Sequence, residues 1–180
     1  MENQKMMNEL FILGELMEAP QIGYHLRSAL QVSLGRNRKI SFGVLYPLLD
    51  KMADQGLVTI ETIEDGRTQK QATITPKGQA RFFELMREDV PEGAKNRDIY
   101  LIKLDAMQHL PLVDQQELLK SFIREQQKTV DELLPLIKEF AADEKIDHWY
   151  AEKKQELKLS EANLAIDWAT NFLNDLPYRK

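Results

Sequence analysis

The chain has 180 residues, 43% of them hydrophobic, and a formal net charge of −5, which allows one domain of ordinary size or two small ones. It contains no cysteine, so disulfides, zinc sites built on cysteine and a cysteine nucleophile are excluded. No run of about 18 apolar residues is present that would form a membrane span, and the first residues lack the pattern of a secretory signal. We therefore expect a cytoplasmic protein without a membrane partner.

The distribution of glycine divides the chain into two parts. Seven of the eight glycines lie at or before Gly78, and the last one is Gly93. Glycine-rich turns between short elements are therefore expected in the first part, whereas the glycine-free stretch that follows is typical of long helices. We expect the boundary near Val90, which gives one domain at 1–90 and a second, helical domain at 91–180.

Three helices are predicted in the first 56 residues from apolar residues at helical spacing. They cover about 6–17, 21–30 and 41–55. The first ends before Pro20, because the residue that precedes a proline avoids the helical region. The third starts at Ser41, a good N-cap residue, and ends at Gly56, in the position that follows a C-cap.

A hairpin and a fourth helix follow. β-branched residues at 57–63 and 68–75 predict two strands, and Asp65-Gly66 between them favours a type I′ turn. Thr75 is expected to cap the next helix, with Pro76 at its first position. The residues of this helix expected to face inward are Ala80, Phe83, Leu85 and Met86.

The order of these elements predicts a fold. Three helices followed by a two-stranded hairpin form a winged helix-turn-helix, which places one helix in the major groove of DNA. With the helical second part, the predicted fold class is mainly α (α+β): an N-terminal winged helix-turn-helix with a two-stranded wing, followed by a C-terminal α-helical dimerisation domain. A generic α+β domain is the alternative for the first part.

Three helices are predicted in the second part. The first covers about 94–109. The second begins with a capping box at Asp114–Glu117, and the third covers about 143–174. Pro135 lies inside the second of them and is expected to kink it. The last helix is too long for a unit of this size to cover its apolar stripe, so we expect part of the stripe at a homodimer interface; an intramolecular helical hairpin is the alternative. The interface residues predicted are Leu157, Leu164, Trp168 and Phe172.

The third helix has an outward face of unusual composition. Its predicted core stripe consists of Leu45, Leu48, Leu49 and Met52. At steps of about 100° per residue, Gly43 and Pro47 lie opposite that stripe. A glycine lets a DNA backbone come close, and a proline ring can touch a thymine methyl group. The predicted DNA-binding residues, on this helix, the connector before it and the hairpin, are Arg36, Arg38, Lys39, Ser41, Phe42, Gly43, Tyr46, Pro47, Arg67 and Lys70.

The charge distribution supports this surface in part. Between Arg27 and Arg81 the sequence has nine basic and five acidic residues, a local charge of +4, which is compatible with binding phosphates. Asp50 and Asp54 lie on the same outward face toward the C-terminal end of the helix, so we expect that end to tilt out of the groove. The hairpin carries acids beside its cations, and a purely structural hairpin is the alternative there.

Several stretches resemble the PadR family of bacterial transcriptional regulators. They are LFILGELMEAPQIGYHL at 10–26, SFGVLYPLLDKMADQGLV at 41–58 and EDGRTQKQATITPKG at 64–78. The resemblance covers about residues 8–86, and the helical second part looks like that of the longer branch of the family. It implies a homodimeric winged-helix repressor whose C-terminal helices form most of the dimer and which binds a palindromic operator in double-stranded DNA.

The resemblance also implies a small-molecule effector, because the namesake regulators respond to phenolic acids. Gly23-Tyr24 carries over, and this tyrosine faces the ligand in phenolic-acid sensors of the family. Other sensor positions differ: Asn37-Arg38 stands where a tryptophan is expected, Phe42 where a histidine is expected, and Gln71-Ala72 where an aromatic pair often follows the wing.

A cluster of aromatic residues starts the last predicted helix. His148, Trp149 and Tyr150 are candidates for an effector pocket together with Tyr24, because ligand sites favour aromatic walls and domain junctions. Ordinary core or dimer packing is the alternative. A small aromatic effector is the corresponding ligand.

Neither catalysis nor a cofactor is expected. The three histidines occur with at most one acid at helical spacing, which is too few ligands for a metal site, and no glycine-rich phosphate loop or nucleophile elbow is present. We therefore predict a homodimeric DNA-binding transcriptional regulator, a repressor released by a small-molecule effector. The alternative is a winged-helix module for protein–protein interaction, with a helical partner-binding arm and no specific DNA binding.

Overall fold

The computed structural model describes residues 2–35, 38, 40–65, 67–143 and 146–178. Residues 2, 64, 65, 67 and 68 are described by their backbone only. The helices of the described chain are α1 (Glu2–Glu18), α2 (Gly23–Leu34), α3 (Phe42–Asp54), α4 (Pro76–Arg87), α5 (Asn96–Ala106), α6 (Leu112–Ala142) and α7 (Trp149–Asp175). The strands are β1 (Gln21–Ile22), β2 (Val58–Asp65) and β3 (Arg67–Ile74), and two 3-10 turns cover Met107–His109 and Leu176–Tyr178.

The chain forms two compact units, Met1–Leu110 and Pro111–Lys180. Their division lies twenty residues after the boundary expected near Val90, because α5 belongs to the first unit. Ile99 and Ile102 of α5 are buried, and α5 packs against α1 and α2. The loss of glycine after residue 93 indicates that the rest of the chain is helical, and it carries no information about the helices against which α5 packs.

The predicted winged helix-turn-helix with its helical C-terminal part is confirmed, including the two-stranded wing β2–β3, but the sheet has an additional strand. The sheet has three antiparallel strands in the order β1-β3-β2, not two. The additional strand β1 pairs Gln21 with Ala72 and Ile22 with Gln71, so α2 begins at Gly23 and not near Gln21. A two-residue strand carries no periodicity, because a period of two needs several residues to show.

Helix α3 has the predicted core stripe and the predicted end. Leu45, Leu49 and Met52 are buried, whereas Leu48, the fourth predicted member, is half-buried. Gly56 has a φ of +73°, its N–H donates to the carbonyl of Ala53 at 2.8 Å, and the N–H of Leu57 donates to the carbonyl of Met52 at 2.9 Å. This pattern is a Schellman motif, in which glycine takes the left-handed position at no steric cost. Ser41 precedes the helix as N-cap, but its side chain makes no capping hydrogen bond.

Helix α4 begins as predicted and buries Leu85 and Met86 as predicted, but the other two inward positions are wrong. The Thr75 side chain accepts a hydrogen bond from the N–H of Gly78 at 3.1 Å, and its hydroxyl contacts the carbonyl of Leu57 at 3.0 Å. Phe82 is fully buried where Phe83 was expected to be, and Ala80 is exposed. Two adjacent phenylalanines differ by only one helical step of about 100°, so the neighbouring helices decide which of them enters the core.

Lys103 of α5 ties that helix to the end of α4. Its side chain is only 2% exposed, and its ammonium donates to the carbonyl oxygens of Met86, at 3.2 Å, and Glu88. The C-terminal end of a helix favours a cation. Burial lowers the pKa of Lys103 to about 8, although the carboxylates of Glu88 and Asp89 oppose this change.

The second unit is a pair of long helices, α6 and α7. Phe140 stacks on His148 close to the connection, and Phe122 meets Trp168 farther along, so the helices run antiparallel. Helix α6 begins at Leu112 after Pro111 as its N-cap, with Asp114 in the first turn, so the predicted capping box is wrong. Helix α7 begins at Trp149, not near residue 143. No helix of the described chain is long and apolar enough to cross a membrane.

Replacing Gly78 with alanine should destabilise the fold strongly. A Cβ atom at this position would lie 2.0 Å from the carbonyl oxygen of Leu57, so the hairpin and α4 would have to separate, at a cost of roughly 3 kcal/mol. Gly43→Ala is the matched control, because its Cβ would lie 3.8 Å from the Ser41 hydroxyl, an ordinary van der Waals contact. Urea unfolding followed by circular dichroism measures both, and equal stability of the two variants would contradict this account of the packing.

The buried ammonium of Lys103 predicts an unusual dependence of stability on pH. Its folded pKa of about 8 lies below the ordinary value of 10.5. Between these two values the unfolded chain binds more protons than the folded one, so the contribution of Lys103 to stability rises with pH. Urea midpoints of the wild type and Lys103→Met at pH 8 and pH 10 should therefore shift in favour of the wild type at the higher pH. Exposed Lys77→Met is the control, and the same shift there would refute the assignment.

Candidate nucleic-acid interface

The outward face of α3 is exposed as the sequence predicts. Gly43 and Pro47 both lie on the surface, and beyond its chain neighbours and its own helix backbone a Cβ atom on Gly43 would meet, among the described residues, only the Ser41 hydroxyl at 3.8 Å. Val44 beside them is also exposed. The N-terminal half of α3 therefore presents a smooth, weakly polar surface that another molecule can approach closely. Contact with DNA stays a prediction for these residues.

The flank of α3 is fixed by aromatic packing against α2. Phe42 stacks on Tyr46, with ring centroids 5.7 Å apart, and the Arg27 guanidinium lies 4.8 Å from the centroid of Phe42. Gly23 at the start of α2 is the contact point of Tyr46, because a Cβ atom there would lie 2.9 Å from the tyrosine hydroxyl oxygen. Phe42 and Tyr46 thus have a packing role beside any role at the surface.

The predicted basic residues differ in whether they are paired with an acid and in whether the structure describes them. Lys70 on β3 lies 3.4 Å from the Asp50 carboxylate on α3, and both side chains are about half exposed. Arg38 forms an ion pair with Asp98 at 3.0 Å. Arg36 and Lys39 lie outside the described residues, as does the side chain of Arg67. The free basic surface is therefore smaller than the count of cations suggests.

Two cavities open beside this surface. One of about 330 Å³ lies between α2, α3 and β3 and is lined by Ile22, Gly23, Tyr24, Tyr46, Gln69 and Lys70. The other, of about 400 Å³, lies between α1, α2 and the start of α3. Its apolar wall includes Leu30 and Val44, and its polar wall includes Asn8, Arg38 and Lys95. Both volumes are within the range of small-molecule sites.

The predicted effector residues fall in both units. Tyr24 is exposed in the first unit and lines the cavity beside the sheet. In the second unit, His148 stacks on Phe140, and its Nε2 lies 3.0 Å from the Asp143 carboxylate. Trp149 and Tyr150 are exposed and pack edge to face on each other. A pocket formed by all four residues stays a prediction.

Helix α7 has two distinct faces. The residues buried against the rest of its unit are Gln155, Ala162 and Ala169, at a spacing of seven. Leu157 and Leu164, also seven apart, lie about 140° away around the helix and are 60% and 70% exposed. Trp168 lies beside them and is about half exposed, and Phe172 is half-buried. The helical hairpin that the sequence left as an alternative is thus formed, and the predicted interface stripe lies largely on its outer face.

Two ion pairs of the first unit, in which a largely buried acid holds an arginine, were not predicted from the sequence. Asp98 holds Arg38, and Glu9 on α1 holds Arg81 on α4 at 2.9 Å. The partners are 60 and 72 residues apart, so no local pattern indicates them. Burial and neighbouring acids raise the pKa of Glu15 on α1, but no group of three or more potential metal ligands occurs in the described part of the chain.

Comparison with known proteins supports the assignment of the first unit. Residues 12–84 match the model of the transcriptional regulator PadR-like family. "Negative transcriptional regulator PadR" of Bacillus subtilis is 25% identical over 126 residues, which are 68% of each chain. "Transcriptional regulator YqjI" of Escherichia coli is 38% identical over 81 residues, which are 45% of this chain and 38% of the relative.

Similar solved structures extend over more of the chain. Bacillus subtilis PadR in complex with operator DNA is 20% identical, with 93% of this chain and 98% of that chain covered and a TM-score of 0.44. The same protein in complex with p-coumaric acid has a TM-score of 0.41 at 19% identity, with 95% and 99% covered.

The match at residues 12–84 includes α2, α3 and the complete β2–β3 hairpin. It therefore spans the elements that the sequence and the structure both assign to a winged helix-turn-helix. Residues 12–84 of the chain are thus similar to the transcriptional regulator PadR-like family, and two curated transcriptional regulators share this similarity.

Proposed function

We propose that this PadR-like transcriptional regulator is a homodimeric repressor that binds a palindromic operator and is released by a small-molecule effector. The observation that carries the proposal is the exposed Gly43–Pro47 face of α3 within a winged helix-turn-helix, since this fold presents its second or third helix to the major groove. The family consists of regulators and not of enzymes, as expected. It favours DNA binding over the alternative of a protein–protein module.

The N-terminal half of α3 is suited to close contact with DNA. Gly43 leaves room for a base edge or a phosphate, and the ring of Pro47 is an apolar surface for a thymine methyl group. The Ser41 hydroxyl makes no capping bond to the helix, so it and the amides of the first turn are suited to hold a phosphate. Arg36, Lys39 and Arg67 are proposed to supply further phosphate contacts.

The C-terminal half of α3 is less suited to DNA because it carries Asp50, whose negative charge is partly neutralised by Lys70. The Asp50 carboxylate faces outward but lies 3.4 Å from the Lys70 ammonium. The ion pair lowers the repulsion between Asp50 and a phosphate, and it also occupies a cation of the wing. We therefore propose that α3 enters the groove with its N-terminal end and tilts outward beyond Pro47.

The outer face of α7 supports dimerisation. Leu157, Leu164 and Trp168 lie on one side of the helix and are about half exposed or more, and large apolar residues exposed together on one helix face are typical of an interaction site. A second copy of α7 is the partner that matches this face, because a two-fold dimer also matches the symmetry of a palindromic operator.

The repressor and effector roles are supported by weaker observations. The name of the Bacillus subtilis relative describes a negative regulator. The cavity of about 400 Å³ beside the start of α3 has room for a small ligand, and Tyr24 lines a second cavity. Because an operator lies on the chromosome, the proposed role also places the protein in the cytoplasm.

Specific DNA binding is tested by a gel shift with the intergenic DNA upstream of the protein's own gene. The wild type should retard this fragment in preference to a random fragment of equal length, and its affinity should fall steeply with salt because phosphate contacts release counterions. Gly43→Trp and Pro47→Glu should each abolish the preference. Absence of binding at low salt would exclude the regulator role.

Replacing Asp50 with asparagine should strengthen DNA binding. The change removes a negative charge from the outward face of α3 and releases Lys70 from its ion pair, so one additional phosphate contact becomes available. The slope of log affinity against log salt should then become steeper by about 0.9. Glu61→Gln on β2 removes an equal charge as control, and weaker binding of Asp50→Asn would contradict the tilted docking.

Replacing Leu164 with glutamate should convert the dimer into a monomer. A charge at the centre of the apolar face of α7 would be buried without a partner in the dimer, at a cost of several kcal/mol. Light scattering at micromolar concentration measures the mass. Val32→Glu, at an exposed position of the first unit, is the control and should leave the mass unchanged. A monomeric wild type would refute the interface.

A further inference from the structure

A buried carboxylate anchors the segment that leads into α3. Asp98 lies in the first turn of α5, and its side chain is 8% exposed. Its Oδ1 accepts a hydrogen bond from Arg38 Nη2 at 3.2 Å. Its Oδ2 lies 3.0 Å from the same nitrogen and 3.6 Å from Lys95 Nζ. An ion pair held at a buried carboxylate has a more defined geometry than one between two exposed side chains.

The position of Asp98 is fixed by the first turn of α5 and by the packing of that helix. The first turn of a helix stabilises a negative charge, and the residue that follows, Ile99, is fully buried. Ile102, one turn farther on, is also buried. Helix α5 packs on α1 and α2, so the carboxylate is fixed to the same core that holds the start of α3.

The described part of the segment between α2 and α3 has three attachments. The N–H of Arg38 donates to the carbonyl of Gly35 at 2.9 Å, the Arg38 side chain pairs with Asp98, and Ile40 is buried. Of these, the ion pair is the one that connects the segment to α5, which lies outside the 12–84 range of the family match. It is also located only three residues before Ser41, the N-cap of α3.

We propose that Asp98 is a positioning residue for DNA reading, which acts through Arg38 to hold the start of α3 at the angle required for docking. Arg38, whose side chain is 45% exposed, has in this role an intramolecular contact and not a phosphate contact. This inference rests on the proposed function and adds α5 to the elements that set the affinity for DNA. It replaces the prediction, made from sequence, that Arg38 binds DNA.

The two roles of Arg38 predict opposite effects of Asp98→Asn on DNA binding. If Arg38 is an anchor, Asp98→Asn weakens binding to the upstream DNA by roughly tenfold. If Arg38 contacts a phosphate, the same variant releases its guanidinium and strengthens binding. Arg38→Ala also discriminates: as an anchor, its loss leaves the salt slope unchanged, whereas loss of a phosphate contact makes the slope shallower by about 0.9.

A double-mutant cycle of Arg38 and Asp98 is the last of the DNA-binding measurements. With an anchor, Arg38→Ala combined with Asp98→Asn should bind no more weakly than the weaker single variant, because both remove the same contact. Arg38→Lys keeps a cation opposite Asp98 and should bind nearly as well as the wild type. Additive losses, or tighter binding of Asp98→Asn, would overturn the proposal.

Limited trypsin digestion tests the anchor without DNA. Cleavage after Lys39 reports opening of the segment, and cleavage after the buried Lys103 reports opening of the whole unit. Asp98→Asn should accelerate the first several-fold relative to the second, whereas Asp50→Asn, which breaks an exposed ion pair, should change neither. Equal acceleration at both sites would mean a general loss of stability and would overturn the proposal.

The DNA-binding and digestion experiments distinguish failure of the proposed function from failure of the positioning role of Asp98. If the wild type fails to bind the upstream DNA, the proposed function fails, and the digestion still decides whether Asp98 anchors the segment. If the wild type binds DNA but the digestion rate after Lys39 is unchanged in Asp98→Asn, the positioning role is refuted and the proposed function stands.

Discussion

Burial of α1 on nearly all sides is the constraint on which the first unit depends. Leu10, Ile12 and Leu13 have no measurable exposure, so the helix contacts neighbours around most of its circumference and not along one stripe. These neighbours are α2, α4, α5 and β3. An ion pair between Glu9 and Arg81 adds a directional contact to α4. Because α2 and β3 are placed by α1, the position of α3 at the surface is determined indirectly by this helix.

The α3 surface combines a neutral centre with cations that are partly paired. Arg38 is balanced by Asp98 and Arg81 by Glu9, and both acids lie outside the stretch from Arg27 to Arg81, so the local excess of +4 in the sequence overstates the positive surface. A docking mode that depends on close approach at Gly43 and Pro47 is consistent with this arrangement. In such a docking mode, shape and apolar contact contribute more to the affinity for DNA, and counterion release contributes less, than the charge count alone implies.

Elements governed by local rules were predicted well. The Schellman end at Gly56, the Thr75 cap and the apolar stripe of α3 each depend on residues within about one turn. Elements that depend on distant partners were missed. The short β1 strand exists because β3 lies beside it, and Phe82 is buried in place of its neighbour because of the surrounding helices. The capping box at Asp114 is the exception among the local signals, because Pro111 starts the helix three residues earlier.

The sequence by itself determined the order of the helices and of the β2–β3 hairpin, the outward position of Gly43 and Pro47, and the apolar stripe of α7, since each follows from spacing along a single element. The tertiary structure alone decided that α5 belongs to the first unit and that Arg38 pairs with Asp98. It also decided that α7 buries a small-residue face and exposes its large apolar residues. The physical reason is the same in each case: these features are set by contacts between residues far apart in the chain, and periodicity within one element does not specify which other element it meets.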